Sequence, residues 1–311
     1  MLQYISALFL HSLSGQPFPK RSLSFSGCAC SPISTHLYTE RMFHMSPKHP
    51  IPLDQPEPPK SSTSHTAGKT PLMSLKEIRQ TLLSLAEEEY KKFSSGLVPD
   101  AGPMLGIRLP ELRKLAARIL KSDWEYFLQE NPGEYFEETM LKGFVLARCP
   151  LPPEERIQRL RAFLPEIRNW SVCDSVCASV KEAPRHPQAY LPFLRECLAS
   201  QEEFTLRFGL IMLMDHFLTE KNLPWILEEA ASVRHPGYYA KMGAAWVLAT
   251  CCAKSPQETL HRLQKGGMDE EIRRRAIQKS LESYRVPEGI KQELRRLRET
   301  LPKRPAIKDP R

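Results

Sequence analysis

The chain has 311 residues, 41% of them hydrophobic and 26% charged, with a formal net charge of +8 and a pI near 9.0. That balance excludes a disordered polymer and supports a sizeable core, and no apolar run reaches the roughly 20 residues a membrane-spanning helix needs. The basic excess suits a polyanionic partner without requiring one. The eight cysteines lack paired CxxC spacing, which argues for reduced thiols, a cytoplasmic setting and no zinc site.

In chain order, residues 1–72 differ from the rest. They are rich in Ser, Pro and His, with PKHPIPLDQPEPPK at 47–60, and no pattern in them could bury enough surface to offset the entropy of ordering. The opening MLQYISALFLHSL is apolar, yet it has no basic residue before the apolar run and no small-x-small cleavage site after it, so it does not read as a secretory signal. Met73 starts MSLKEIRQ, a more natural beginning for a folded chain. The expectation is a disordered leader or an over-long start at 1–72, a folded domain at 73–300 and a basic tail at 301–311.

From Ser74 the pattern is helical throughout. Ser74 caps LKEIRQTLLSLAEEEYKKF, whose Leu75, Ile78, Leu82, Leu85 and Ala86 follow the spacing of one buried helical face. That single helix, Leu75 to Phe93, stops at the loop SSGLVPDAGP. Helices follow at PELRKLAARILKSD, EYFEETMLKGFVLARC, PPEERIQRLRAFLPEI, NWSVCDSVCA, QAYLPFLRECLAS and EEFTLRFGLIMLMDHFL, then at LPWILEEAASV, YYAKMGAAWVLATCCAK, SPQETLHRLQ, DEEIRRRAIQKSLES and EGIKQELRRLRE. No segment alternates with the period of a strand. About a dozen short helices joined by turns predict an all-α superhelical solenoid of stacked antiparallel pairs, HEAT-like in unit length although no unit aligns with the next.

The stretch Asn169–Ala178 carries the chemistry. With Asn169 as N-cap, Trp170, Asp174 and Cys177 share one helical face. A carboxylate on an apolar stripe beside an indole is either one half of a structural ion pair or a charge held for a purpose, because burying it alone costs several kcal/mol.

LGIRLPELRKLA at 105–116, NWSVCD at 169–174 and YYAKMGAAWVLA at 238–249, with the Arg of FTLRFGL between the last two, together resemble the AlkD-like DNA alkylation repair proteins. These are HEAT-like-repeat DNA glycosylases, and the resemblance spans Ser74 to about Glu299. It implies a cleft in which Trp170, Asp174 and Trp246 are catalytic and Arg207, Tyr238, Tyr239 and Lys241 bind DNA. It also implies a monofunctional alkylpurine glycosylase, acting as a monomer on duplex DNA that carries N3-methyladenine or N7-methylguanine, with no metal, cofactor or membrane. Such bases are already cationic, so no acid need protonate them. Asp174 would stabilise the oxocarbenium-like sugar and orient water, the indoles would hold the base by cation–π attraction, and Arg207 would hold a phosphate.

Each residue also has a plainer reading. Arg207 can be the ion-pair partner that makes Asp174 tolerable, Trp246 can be core, and Tyr238 and Tyr239 can be inter-repeat packing. The basic residues Arg273, Arg274, Arg275, Lys279, Arg295, Arg296 and Arg298 can form a solvated face or a track along a DNA backbone. Family members resemble one another in having two short helices before the glycine–proline motif, where this reading finds one. A non-catalytic DNA-binding or scaffold protein on the same solenoid is therefore the alternative, and a protein–protein adaptor a third class.

Overall fold

The computed structural model describes residues 73–98 and 101–302, so the expected leader and residues 303–311 of the expected tail lie outside the described residues. The described chain runs α1 Leu75–Ser84, α2 Glu88–Ser95, α3 Leu109–Ile119, α4 Trp124–Glu130, α5 Phe136–Leu146, α6 Pro153–Phe163 and α7 Trp170–Cys177. It continues through α8 Pro187–Leu198, α9 Glu203–Met212, α10 Leu223–Ser232, α11 Tyr238–Lys254, α12 Pro256–Gln264, α13 Glu270–Glu282 and α14 Glu288–Thr300. No strand occurs among the described residues, and none of their helices is long and apolar enough to cross a membrane.

Two layers organise these elements. From α3 onward the odd-numbered helices form one row in which each packs on the next, α3 on α5 and so on to α13, while the even-numbered helices lie against that row. In the even row only α6 with α8 and α12 with α14 make comparable contact, so the odd row is the more tightly spaced layer. This is the helix-pair stacking of an all-α repeat solenoid. The helix starts follow local chemistry. Ser74 and Glu77 close a reciprocal capping box on α1, and Asn169 Oδ1 accepts the Val172 N–H at 2.9 Å to start α7.

The first segment corrects the sequence reading. Leu75–Phe93 is two helices, α1 and α2, with a break at Leu85–Glu87 that no glycine or proline announces. The cause is tertiary. The Glu87 N–H donates to the Gly106 carbonyl at 3.1 Å, and the Glu87 carboxylate accepts three bonds from Arg108, at 2.8, 2.9 and 3.1 Å, so the chain leaves the helical path to pair with the 106–108 turn. The buried Glu137 carboxylate holds that turn from its other side, accepting the N–H groups of Leu105, Gly106 and Ile107. The N-terminal pair that the sequence reading found missing is therefore present.

Two further differences are smaller. The helix α4 is only seven residues long, too few to display a period, and is started by the Asp123 side chain. The helix predicted over 202–218 ends in α geometry at Met212 and finishes as a π-helical turn, Leu213–Phe217.

Gly106 is the weak point of this arrangement. Its φ is +84°, and a β-carbon there would stand 2.6 Å from the Glu87 carbonyl oxygen and 2.5 Å from Lys91 Cβ. Gly106→Ala is expected to cost about 2–3 kcal/mol, or roughly 5–10 °C in melting temperature for a domain of this size. A calorimetric scan unchanged within a degree would remove the turn from the fold's requirements.

Candidate functional site

The helix α7 brings Trp170 and Asp174 to the odd row. Asp174 is 1% exposed and Arg207, from α9, is 4% exposed. Arg207 donates from Nε to Asp174 Oδ1 at 2.8 Å and from Nη2 to Oδ2 at 2.7 Å, and its Nη1 donates to the Tyr239 carbonyl at 2.7 Å. One guanidinium thus fastens α7, α9 and α11 together. Burial works against its charge, but the Asp174 carboxylate outweighs burial and holds Arg207 above the ordinary arginine range.

The aromatic groups come from both sides of this pair. The Trp170 indole N–H donates to the Leu97 carbonyl at 3.3 Å, which steers the ring. The helix α11 starts where Glu203 accepts the N–H groups of Tyr239 and Ala240. It then presents Tyr238, Tyr239, Met242 and Trp246, spaced as successive turns require. Tyr238 and Tyr239 meet edge to face at 5.2 Å, and Arg275 of α13 sits 4.8 Å from the Tyr238 ring centroid. Tyr238, Tyr239, Met242 and Trp246, with Trp170, Arg207 and Lys279, surround a small solvent-open pocket. Asp174 stands behind Arg207 rather than at the pocket surface.

Five of the seven expected residues therefore line one pocket, and a sixth, Asp174, backs it. The seventh, Lys241, does not reach it. Its side chain is 15% exposed and bridges Asp269 and Glu271, each at 3.2 Å. The basic run is likewise neutralised locally, Arg273 and Arg274 by Glu270 and Arg275 by Glu271. Lys279 is the residue that sequence reasoning left on a basic face without a role. Among the described residues it has no hydrogen-bond or ion-pair partner, and burial, together with Arg207 and Arg275, outweighs Glu282 and holds its ammonium below the usual lysine range. Its only signal in the sequence is its place one turn after Arg275.

No group of His, Cys, Asp or Glu among the described residues could hold a metal ion. The six described cysteines are buried and free. A family model described as DNA alkylation repair enzyme matches residues 78–280, two thirds of the chain. The chain belongs to that family. Membership agrees with the AlkD-like motifs and assigns the protein to the repair of alkylated DNA. No curated protein matches the chain.

The pair at the centre of the site predicts a thermodynamic signature. Arg207→Met strands a buried carboxylate and is expected to cost about 3–5 kcal/mol in denaturant unfolding, while adding Asp174→Leu should restore at least half of that loss. Additive losses in the double variant would show that the two charges are not coupled.

Proposed function

We propose that this protein is a glycosylase that hydrolyses the N-glycosidic bond of cationic alkylated purines in duplex DNA. The carrying observation is that Trp170, Arg207, Tyr238, Tyr239 and Trp246, from three helices spread along the chain, close on one pocket. Water adds its oxygen to C1′ as the C1′–N bond breaks, the bonding electrons neutralise the departing base, and the water's proton passes to solvent. The base leaves neutral, so the site needs no acid. The enzyme's task is then to bind a cation and to favour charge developing on the sugar. Indole and phenol faces hold the cationic base, each worth about 0.5–2 kcal/mol. The Asp174 carboxylate is the negative charge behind the pocket, and because Arg207 stands between them it favours charge on the sugar only where a carboxylate oxygen is turned toward C1′.

Under this reading the phosphate flanking the lesion meets Lys279. Each Arg207 nitrogen is already bonded within the protein, whereas Lys279 faces the pocket beside like charges. Lys279→Gln should lower the log–log salt slope for duplex binding by about one, while Lys279→Arg should keep it. Equal slopes in all three proteins would remove Lys279 from DNA contact.

One observation favours a second reading, a DNA-binding protein without excision: both Asp174 oxygens are engaged by Arg207. Single-turnover release of N7-methylguanine from methylated duplex separates the two. The glycosylase reading expects release by the parent protein and a loss of about 3–4 kcal/mol of transition-state stabilisation, a hundred- to a thousandfold, in folded Asp174→Asn that still binds duplex. No release by a parent protein that binds methylated duplex would leave the binding reading alone.

A further inference from the structure

The helix α7 has a second charged feature at its other end. Beyond its C-terminus, Ala178, Lys181, Glu182 and Arg185 form one wall of a hollow of about 580 Å³, open to solvent, that shares no residue with the aromatic pocket. The opposite walls bring Arg113 from α3, Arg148 from the end of α5 and Arg156 from α6. Five cationic side chains thus surround a single carboxylate.

That carboxylate is already committed. Glu182 Oε1 accepts from Arg156 Nε at 2.8 Å and from the Tyr190 hydroxyl at 2.6 Å. Arg156 is buried, and its remaining nitrogens donate to the carbonyls of Leu146 and Leu151, so it serves as a structural peg. Arg148, Lys181 and Arg185 are exposed and form no ion pair with a described residue. Arg113 lies half-buried over the Phe144 ring, 5.3 Å from its centroid, and burial together with the Arg148 charge holds it below the ordinary arginine range. The contrast with Arg273–Arg275, whose charges are each answered by a glutamate, is direct. Here like charges converge on a hollow whose lining holds one carboxylate, already engaged, and an anion meeting Arg148, Lys181 and Arg185 would break no ion pair described for them.

We propose that this hollow is a second phosphodiester-binding site, which grips the backbone of the same duplex that the aromatic pocket engages. The inference rests on the DNA-binding half of the function proposed above. Trp170, at the aromatic pocket, and Ala178, at the hollow, are eight residues apart, which is about 12 Å along a helix. That separation is close to the width of the major groove, and to the axial rise of about three or four nucleotides along one strand. The rise is short enough for a single duplex to span the two sites. The hollow is wide for one phosphate and suited to a backbone segment, and its contacts would carry no sequence information.

The test is fluorescence anisotropy of a 24-base-pair duplex, methylated and unmethylated, across a salt series. Replacing Arg148, Lys181 and Arg185 together by Ser should reduce the log–log slope by about two to three and weaken binding at least tenfold on both duplexes, with a melting temperature within about 2 °C of the parent because the three side chains are exposed. Lys181→Arg alone should leave the slope unchanged. A triple variant with the parent's slope overturns the proposal. So does equal competition against parent and variant by millimolar inorganic phosphate, which would assign duplex binding elsewhere. Loss of binding in the parent itself would sink both this site and the glycosylase reading, whereas binding without base release would sink only the latter.

Discussion

The interaction on which the rest of the site depends is the ion pair of Asp174 and Arg207. Taking both charges out of water is costly, and the cost is offset only because the geometry is complete: two parallel bonds to the carboxylate and a third to the Tyr239 carbonyl. Completeness has a structural consequence. The pair sets the spacing of α7, α9 and α11, and with it the distance between the tryptophan at the start of α7 and the aromatic face of α11. Gly243 of α11 lies beside the Arg207 stem, where an added β-carbon would sit in ordinary van der Waals contact at 3.4 Å, so the approach leaves room for nothing much larger.

A second consequence concerns charge. A guanidinium with all of its nitrogens bonded inside the protein has little left to offer a phosphate, so cation count along the sequence is a poor map of where DNA could sit. The densest basic run, Arg273–Arg275, is paired within its own helix, and Lys241 bridges to the start of the same helix. The cations that line the two hollows without a described hydrogen-bond or ion-pair partner are dispersed in sequence, at 148, 181, 185 and 279, and are brought there by the stacking of the odd row. Net charge of +8 is compatible with either distribution. Only folding distinguishes them.

What was legible in the sequence follows the same division between local and distant causes. Helix periodicity, the Ser74 and Asn169 caps, and the shared face of Trp170 and Asp174 depend on residues within a turn or two, and each was readable. The break at Leu85–Glu87 was not, because it is made by Gly106 and Arg108, about twenty residues away, against a local sequence that favours a continuous helix. The choice between an open and a buried Arg207 was also undecided, since the same spacing serves a phosphate contact and an ion pair. Lys279 shows the limit most clearly. Its neighbours in sequence, Gln278 and Ser280, are uncharged and ordinary, and its place in the pocket comes from α13 packing on α11.

Under the proposed glycosylase reading, the aromatic walls suit a substrate that is cationic before reaction and passes that charge to its sugar during it. Aromatic faces attract a cationic purine more than its neutral product, so the same contacts that favour binding weaken once the base has gone. A carboxylate free in the pocket would also attract the ground-state cation, and such uniform binding does not lower the barrier. A carboxylate held behind an arginine presents the guanidinium first, so the pair favours new positive charge on the sugar only where Arg207 leaves a carboxylate oxygen facing it. Under the glycosylase reading, how firmly Arg207 holds both oxygens decides whether Asp174 acts at the sugar or serves only the fold.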